Sequence, residues 1–443
     1  MAVCDLSLPI LNPLKPPSQL GFTPGLFVKM ANIIITEQRC LAVKNNQVLL
    51  QQFLDAMAAF DETLHPIIMN QMYNGGVEDD IWVYFNLMHQ NSQTFVKWNG
   101  LQSDDFISEG KGNRQGGKSS ADEWKLYNNK MIEQLERAAT EFDKIDSVPT
   151  SCVAVADDVA PCATADHPVD AVHQLQNLLY IVEDHGTQLH MRFGVEKCKL
   201  LISGRQSKIK QVESLLEDEP GTLTFYGQPV KQVEEYYVHI GVPQATRNQS
   251  NVIVDYRISK GQDITYALQN STRNSLSGIS PLSNRKMFNS YHQPSFIYGT
   301  DTMSINETDL ERLEIKYRDV LRHMLSLPRY TKSSLIYLSI GVLPARGQRD
   351  LEILGVFGQL AICGDDMQNI RKVIQNSLTF YDISFNGWSA LVRKTCLRYD
   401  LPDPLQIMMY PWRPDRWRMY CKEKIILFWE SLLRKKSCNL QTS

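Results

Sequence analysis

Val153-Ala154-Val155-Ala156-Asp157-Asp158-Val159 is an apolar run that carries two adjacent carboxylates at its tip and then turns apolar again. A short stretch rich in valine and alanine reads as a buried strand. Two acidic side chains stranded together at its end cost desolvation and mutual repulsion unless a cation offsets them. The stretch alone allows two readings: Asp157 and Asp158 hold a metal ion, or they form a tight Asp-Asp hairpin turn. A second stretch of the same kind lies upstream, where Phe53-Leu54-Asp55 ends an apolar strand in a carboxylate. Side by side, the two strands would bring Asp55 and Asp157 to one edge of a sheet, which is the arrangement that two-metal phosphoryl transfer needs.

Composition bounds the rest. A chain of 443 residues with 43% hydrophobic content can bury a large core, and its length suits about two or three domains. It contains no run of about 18 apolar residues. It also opens without a basic-then-apolar leader. The expectation is an intracellular protein of cytoplasm or nucleus, neither secreted nor membrane-bound. The nine cysteines are scattered without a Cys-x-x-Cys pair, which favours reduced thiols over disulfides or zinc. A net charge of -3 is weak support for nucleic-acid binding. The tail is different: from Pro411 to Lys436 eight basic residues face three acidic ones, with Trp412, Trp417 and Trp429 interleaved. That tail reads either as a grip on a nucleic-acid strand by charge and stacking or as an amphipathic terminal helix with solvated charges.

Periodicity gives a helix over Phe27 to Val43, a strand ending at Asp55, and helix from Ala59 to about Met72. Asp79 can cap a helix running to about Asn91. Thr94 to Trp98 and Phe106 to Ser108 read as a hairpin, followed by a glycine-rich loop and a helix from about Ser119 to Phe142. His167 to His185 is helical, and short strands recur up to Val242, after which long amphipathic helices take over. The fold class is therefore α+β, a mixed core followed by a helical region of similar size.

Gly112-Asn113-Arg114-Gln115-Gly116-Gly117-Lys118-Ser119 matches the phosphate loop G-x-x-x-x-G-K-S letter for letter. In such loops backbone N–H groups cradle phosphates, the lysine reaches the terminal phosphate and the serine hydroxyl binds magnesium. A phosphate loop follows an early buried parallel strand, however. Phe106 to Ser108 is short and pairs as a hairpin, and Asp55 has no part in that reading.

With all these residues together, the chain resembles the reverse transcriptase of non-LTR (LINE-like) retrotransposons. Phe53-Leu54-Asp55-Ala56-Met57-Ala58-Ala59-Phe60-Asp61 is similar to the first palm motif of that family. Gly112 to Gly117, continued by Ser119-Ser120-Ala121, is similar to the second, Ala156-Asp157-Asp158 to the third and Phe193-Gly194-Val195-Glu196-Lys197 to the fourth. Tyr237-Val238-His239-Ile240-Gly241-Val242 is similar to the hairpin between palm and thumb, and Gln19-Leu20-Gly21-Phe22-Thr23 to a stretch preceding the first motif. Order and spacing agree from about Gln19 to Val242. Ala58 departs from the family's lysine, Asn113 from its usual valine, and Val155 from the aromatic or small polar residue before Ala-Asp-Asp.

The resemblance implies a right-hand polymerase palm, an antiparallel sheet with packed helices, followed by a mostly helical thumb and C-terminal region. It divides the chain into a remnant of fingers (1–48), palm (49–245), helical thumb (246–330) and a helical C-terminal region with a basic tail (331–443), and implies truncation at the N-terminus. The implied activity is RNA-directed DNA polymerisation, transferring a nucleotide from dNTP to a primer 3′-hydroxyl. Two Mg2+ ions would be held by Asp55, Asp157 and Asp158, with Lys197 placed to protonate pyrophosphate. Phe60 would sit under the sugar of the incoming nucleotide, and Arg114, Gln115 and Gly116 would lie against template and base. The implied partners are an RNA template, a DNA primer and dNTP, with no membrane and no obligate protein partner. Two alternatives remain open: a catalytically inactive remnant that at most binds nucleic acid, and a nucleotide hydrolase acting through Gly112 to Ser119.

Overall fold

Val48–Phe53 is buried along its whole length, as a strand packed on both faces must be. In the computed structural model it is strand β1 of a four-stranded antiparallel sheet. The other strands are β2 (Cys152–Val155), β3 (Asp158–Ala165) and β4 (Lys199–Gly204), in the order β4-β1-β3-β2. The structure describes residues 10, 16–21, 28–57, 59–90, 92–108, 110–114, 117, 119–145, 148–272, 280–363, 368–379 and 387–438. Ala58, Gln115, Gly116 and Lys118 lie outside them.

Alternation along β1 sorts the two faces. Val48 and Leu50 enter a large core with Ala163, Ala165, Leu200 and Ile202, while Leu49 points the other way against Cys162 and Ala42. Ala42 belongs to helix α1 (Lys29–Lys44), and the large core is covered by α2 (His65–Asn74), α3 (Ser120–Arg137) and α4 (Pro168–Gln188). On α4 the apolar positions Val172, Leu175, Leu178, Leu179 and Val182 are all fully buried, the face that a 3.6-residue period presents.

Several boundaries differ from the sequence expectation. The helix expected from Ala59 begins only at His65: Leu64 is the extended residue ahead of the first turn, and Pro66 sits inside that turn, where its missing N–H and fixed φ are tolerated. The helix expected to reach Phe142 stops at Arg137, where Thr140 turns the chain by donating its hydroxyl to Asp143 Oδ2 at 2.8 Å. The stretch from Tyr237 is a hairpin of Tyr237–His239 with Val242–Gln244, closed by Ile240 and Gly241 at φ of 50° and 71°.

The chain parts into two compact units, residues 1–31 with 41–233 and residues 32–40 with 234–443. Among the described residues the second unit is helical apart from that hairpin. Its helix α5 (Ala345–Ala361) packs against the terminal helix α6 (Pro414–Cys438), with glycines opposite tryptophans. A Cβ at Gly358 would overlap the indole of Trp417, and one at Gly347 would lie 2.6 Å from Trp429 Nε1. Trp417 is fully buried and donates Nε1–H to the Leu354 carbonyl at 2.7 Å, while Trp429 donates to the Tyr399 hydroxyl at 2.9 Å. Of the two readings of the tail, the amphipathic helix is the one these contacts support: Trp417 and Trp429 are packing residues, Arg418 bonds Glu352 of α5 at 3.2 Å, and Arg416, Lys422, Arg434, Lys435 and Lys436 are exposed. No helix among the described residues is long and apolar enough to cross a membrane.

Trp417→Ala is expected to destabilise the second unit by about 3–5 kcal/mol, the cost of emptying a fully packed indole site. Met419→Ala, on the exposed side of the same helix, is expected to stay within about 0.5 kcal/mol. Urea unfolding of the two variants checks the difference.

Candidate active site

β2 and β3 are joined by a two-residue turn, Ala156-Asp157, with Val155 opposite Asp158 in the ladder. Ala156 adopts φ 59°, a left-handed conformation that suits tight hairpin turns and costs an L-residue roughly 1–2 kcal/mol. β1 continues beside β3 through an antiparallel bridge of Leu54 with Val159. Asp55 follows Leu54 as Asp158 precedes Val159, so the register carries both acids to the same end of the sheet. A hairpin turn is thus present, but it is Ala156-Asp157 and not Asp157-Asp158, and Asp158 is the first residue of β3.

The electrostatics are those of negative charge held close. Burial raises the Asp157 carboxyl above the ordinary range, with Asp55 adding to it. Asp158 is pushed up to about 6 by burial, then by Asp157 and then by Asp55. Like charges at short range disfavour each other's ionisation.

The fourth motif borders Asp55. Ala56–Met57 pairs antiparallel with Arg192–Phe193, and the Gly194 N–H donates to the Asp55 carbonyl at 2.9 Å. A Cβ at Gly194 would stand 3.1 Å from Asp55 Oδ2, so glycine keeps that carboxylate accessible. Lys197 Nζ is 3.5 Å from Asp55 Oδ2, with the two side chains 72% and 34% exposed. An ion pair so open to water is weak, and the lysine can leave it at little cost. Behind the acid, the Asp55 N–H points at Cys198 Sγ, 3.4 Å away, and burial pushes that thiol up to about 11.

Phe60 packs its ring on Trp124, centroids 5.2 Å apart, so its position is braced by a fully buried indole. The described part of the glycine loop docks on the same segment. Asn113 N–H donates to the Phe60 carbonyl at 2.6 Å, Gly112 N–H to Thr63 at 2.7 Å, and the Asn113 amide to the Ser120 carbonyl at 2.9 Å. Gly112 has φ 100° and sits so close to Asp61 that a Cβ would be 3.3 Å from its carbonyl oxygen. Arg114 is exposed. Of the residues expected at template and base, Gln115 and Gly116 lie outside the described residues. The loop lacks the strand that the hydrolase reading requires: Ile107–Ser108 is two residues long, exposed at Ile107, and pairs antiparallel with Gln93–Thr94.

Sequence reasoning gave no role to Gln19. Ser18 and Leu20 extend the sheet past β2: Leu20 N–H donates to Ala154 at 2.7 Å and Ala154 N–H to Ser18 at 3.0 Å. Ser18 N–H is in turn held by Glu136 on α3 at 2.8 Å. Between them, the Gln19 side chain reaches the Ala156 turn. The signal was present as Gln19-Leu20-Gly21 at a family-like position, but nothing in one dimension says which strand it would meet.

Carboxylates are the donors that magnesium takes, and Asp157 and Asp158, both raised by burial with Asp55 adding to it, fit a cation in charge and chemistry. Among the described residues, no three histidine, cysteine, aspartate or glutamate side chains converge closely enough to hold an ion as they stand.

No protein-family model matches the chain, and no curated protein does. Among solved structures, telomerase from Candida albicans in complex with a TWJ fragment of telomeric RNA aligns over 89% of this chain and 56% of that one. The identity is 12% and the TM-score 0.33. The aligned region thus spans little more than half of the telomerase chain, and so loose a likeness carries no argument about fold or activity.

Asp158 gives a pH signature. Its acid form is favoured by the folded chain up to about pH 6 and by the unfolded chain only up to about pH 4. Because the folded state binds the proton more tightly, stability falls as pH rises through that window. The charged group costs stability fully above about pH 6 and not at all below about pH 4. Asp158→Asn is therefore expected to raise the melting temperature at about pH 7.5 and to leave it unchanged near pH 4, as thermal unfolding at both values would read.

Proposed function

We propose that the chain is an RNA-directed DNA polymerase of the non-LTR retrotransposon kind, acting through Asp55, Asp157 and Asp158. The observation that carries the reading is the register of β1 against β3, with Leu54 opposite Val159. Two apolar strands there end in three carboxylates at one edge. Lys197 and Gly194 beside Asp55, from the stretch resembling the fourth palm motif, support it further.

In this reading the three carboxylates would hold two Mg2+ ions, which when bound would supply positive charge to the attacking and leaving oxygens. Asp55 and Asp157 hold and orient; Asp158, raised to about 6, gives up its proton to join them at neutral pH. Lys197 leaves Asp55 to protonate the pyrophosphate, a transfer open to an exposed ammonium on a flexible stem. Phe60, braced on Trp124, forms a stiff floor for the sugar of the incoming dNTP. Arg114, which is exposed, would contact the RNA template and the incoming base, a role the resemblance also gives to Gln115 and Gly116. The primer supplies the 3′-hydroxyl.

The second reading is the inactive remnant that at most binds nucleic acid. It is favoured by the lack, among the described residues, of three ligating side chains converged on one point.

Primer extension on an RNA template decides between them. The wild type is expected to extend in the presence of Mg2+. Asp55→Ala and Asp157→Ala are each expected to lose at least the roughly 10–100-fold that even an outer-shell partner of a metal ligand is worth. Absence of extension by the wild type would leave the remnant. ATP hydrolysis without template, abolished by Lys118→Ala and indifferent to Asp55→Ala, would instead favour the hydrolase.

A further inference from the structure

The left-handed Ala156 is held by a single side chain. Gln19, 1% exposed, accepts from the Ala156 N–H at 3.0 Å through Oε1 and donates Nε2–H to the Ala156 carbonyl at 3.2 Å. Its Oε1 also accepts from the Gly21 N–H at 3.0 Å. One amide therefore binds both polar groups of the turn residue, as a backbone neighbour in a ladder would. The approach is close enough to require glycine: a Cβ at Gly21 would overlap the Ala156 nitrogen and stand 2.9 Å from the Val155 carbonyl carbon. Three separate anchors fix the clamp itself, namely the Ser18 and Leu20 bonds to Ala154 and the Glu136 carboxylate on Ser18.

We propose that Gln19 is a positioning residue for the Asp157-Asp158 site. By pairing with both polar groups of Ala156 it keeps the strained turn closed, with Asp157 and Asp158 presented together at the sheet end. The reason is energetic. Buried backbone groups in a turn must be satisfied, and an alanine in the left-handed region returns to ordinary φ unless its surroundings forbid it. The turn also carries two acids that repel each other. Without the clamp, both strain and repulsion act to open it. The proposal rests on the reading of these acids as metal ligands, and two readouts keep the ideas apart.

The first readout is amide exchange in the full chain, which needs neither metal nor activity. Gln19→Ala is expected to speed exchange of the Ala156 amide at least tenfold, with Leu50 and Leu201 in β1 and β4 unchanged. Gly21→Ala should do the same by pushing the segment away from the turn. The second readout is Mn2+ affinity, followed by its magnetic resonance signal, with Asp157→Ala defining the site. Gln19→Ala is expected to weaken Mn2+ about tenfold, the equilibrium equivalent of what a left-handed alanine costs. Gln19→Ala with Ala156→Gly is expected to recover most of that loss, because glycine takes the turn without strain. A merely structural glutamine would give no such recovery. Unchanged exchange at Ala156 in both single variants, or lost affinity that Ala156→Gly does not restore, would overturn the proposal. Mn2+ binding that Asp157→Ala leaves intact would instead overturn the metal reading, while the exchange rates still decide whether Gln19 closes the turn.

Discussion

The antiparallel pairing of β1 with β3 is the constraint on which the first unit depends. Val48 stands opposite Ala165 and Gln51 opposite Cys162, and the ladder runs on to Leu54 and Val159. A slip of one residue would exchange the two faces, moving Val48 and Leu50 out of the large core and Leu49 into it. The register is thus set by burial at one end of the strands, and the position of the acids at the other end follows from it. Asp55 and Asp158 come to the same end of the sheet because the hydrophobic residues farther along β1 and β3 each have one place to go.

The acids are stabilised by little of their own. Burial and mutual repulsion raise Asp157 and Asp158, and the exposed ammonium of Lys197 offers Asp55 a weak partner. What holds the edge together is backbone. Asp55 is bonded through its carbonyl to Gly194, and Ala156 is bonded through both polar groups to Gln19. In each case a glycine, Gly194 or Gly21, permits the approach.

In the second unit the packing logic is steric. Gly347 and Gly358 leave recesses on α5 into which α6 places Trp429 and Trp417. The buried carboxylate of Asp350 then accepts from the Tyr399 hydroxyl at 2.7 Å and from Arg398 at 2.5 Å, joining a further helix to the pair. Two of the three tryptophans that made the tail look like a stacking surface, Trp417 and Trp429, are committed to this contact, while Trp412 is 40% exposed.

Much of this was legible in one dimension. Apolar runs in valine, alanine and leucine announced β1 and β2, though not the strand β3 that follows Asp157, and the carboxylates at their ends announced a polar edge, because burial and charge are properties of residue type. The 3.6-residue pattern gave α4 with its buried face. Helix ends were less legible, since Pro66 and the Thr140–Asp143 turn act through local geometry that periodicity does not see. What the sequence by itself determined is that this chain has acids which buried strands must present. Only the tertiary structure decided that Asp55 shares an edge with Asp157 and Asp158, that Trp417 is core and not surface, and that Gln19 grips a turn 137 residues away. Hydrogen bonds and packing across such separations depend on which strands become neighbours, and no local pattern of residues encodes that.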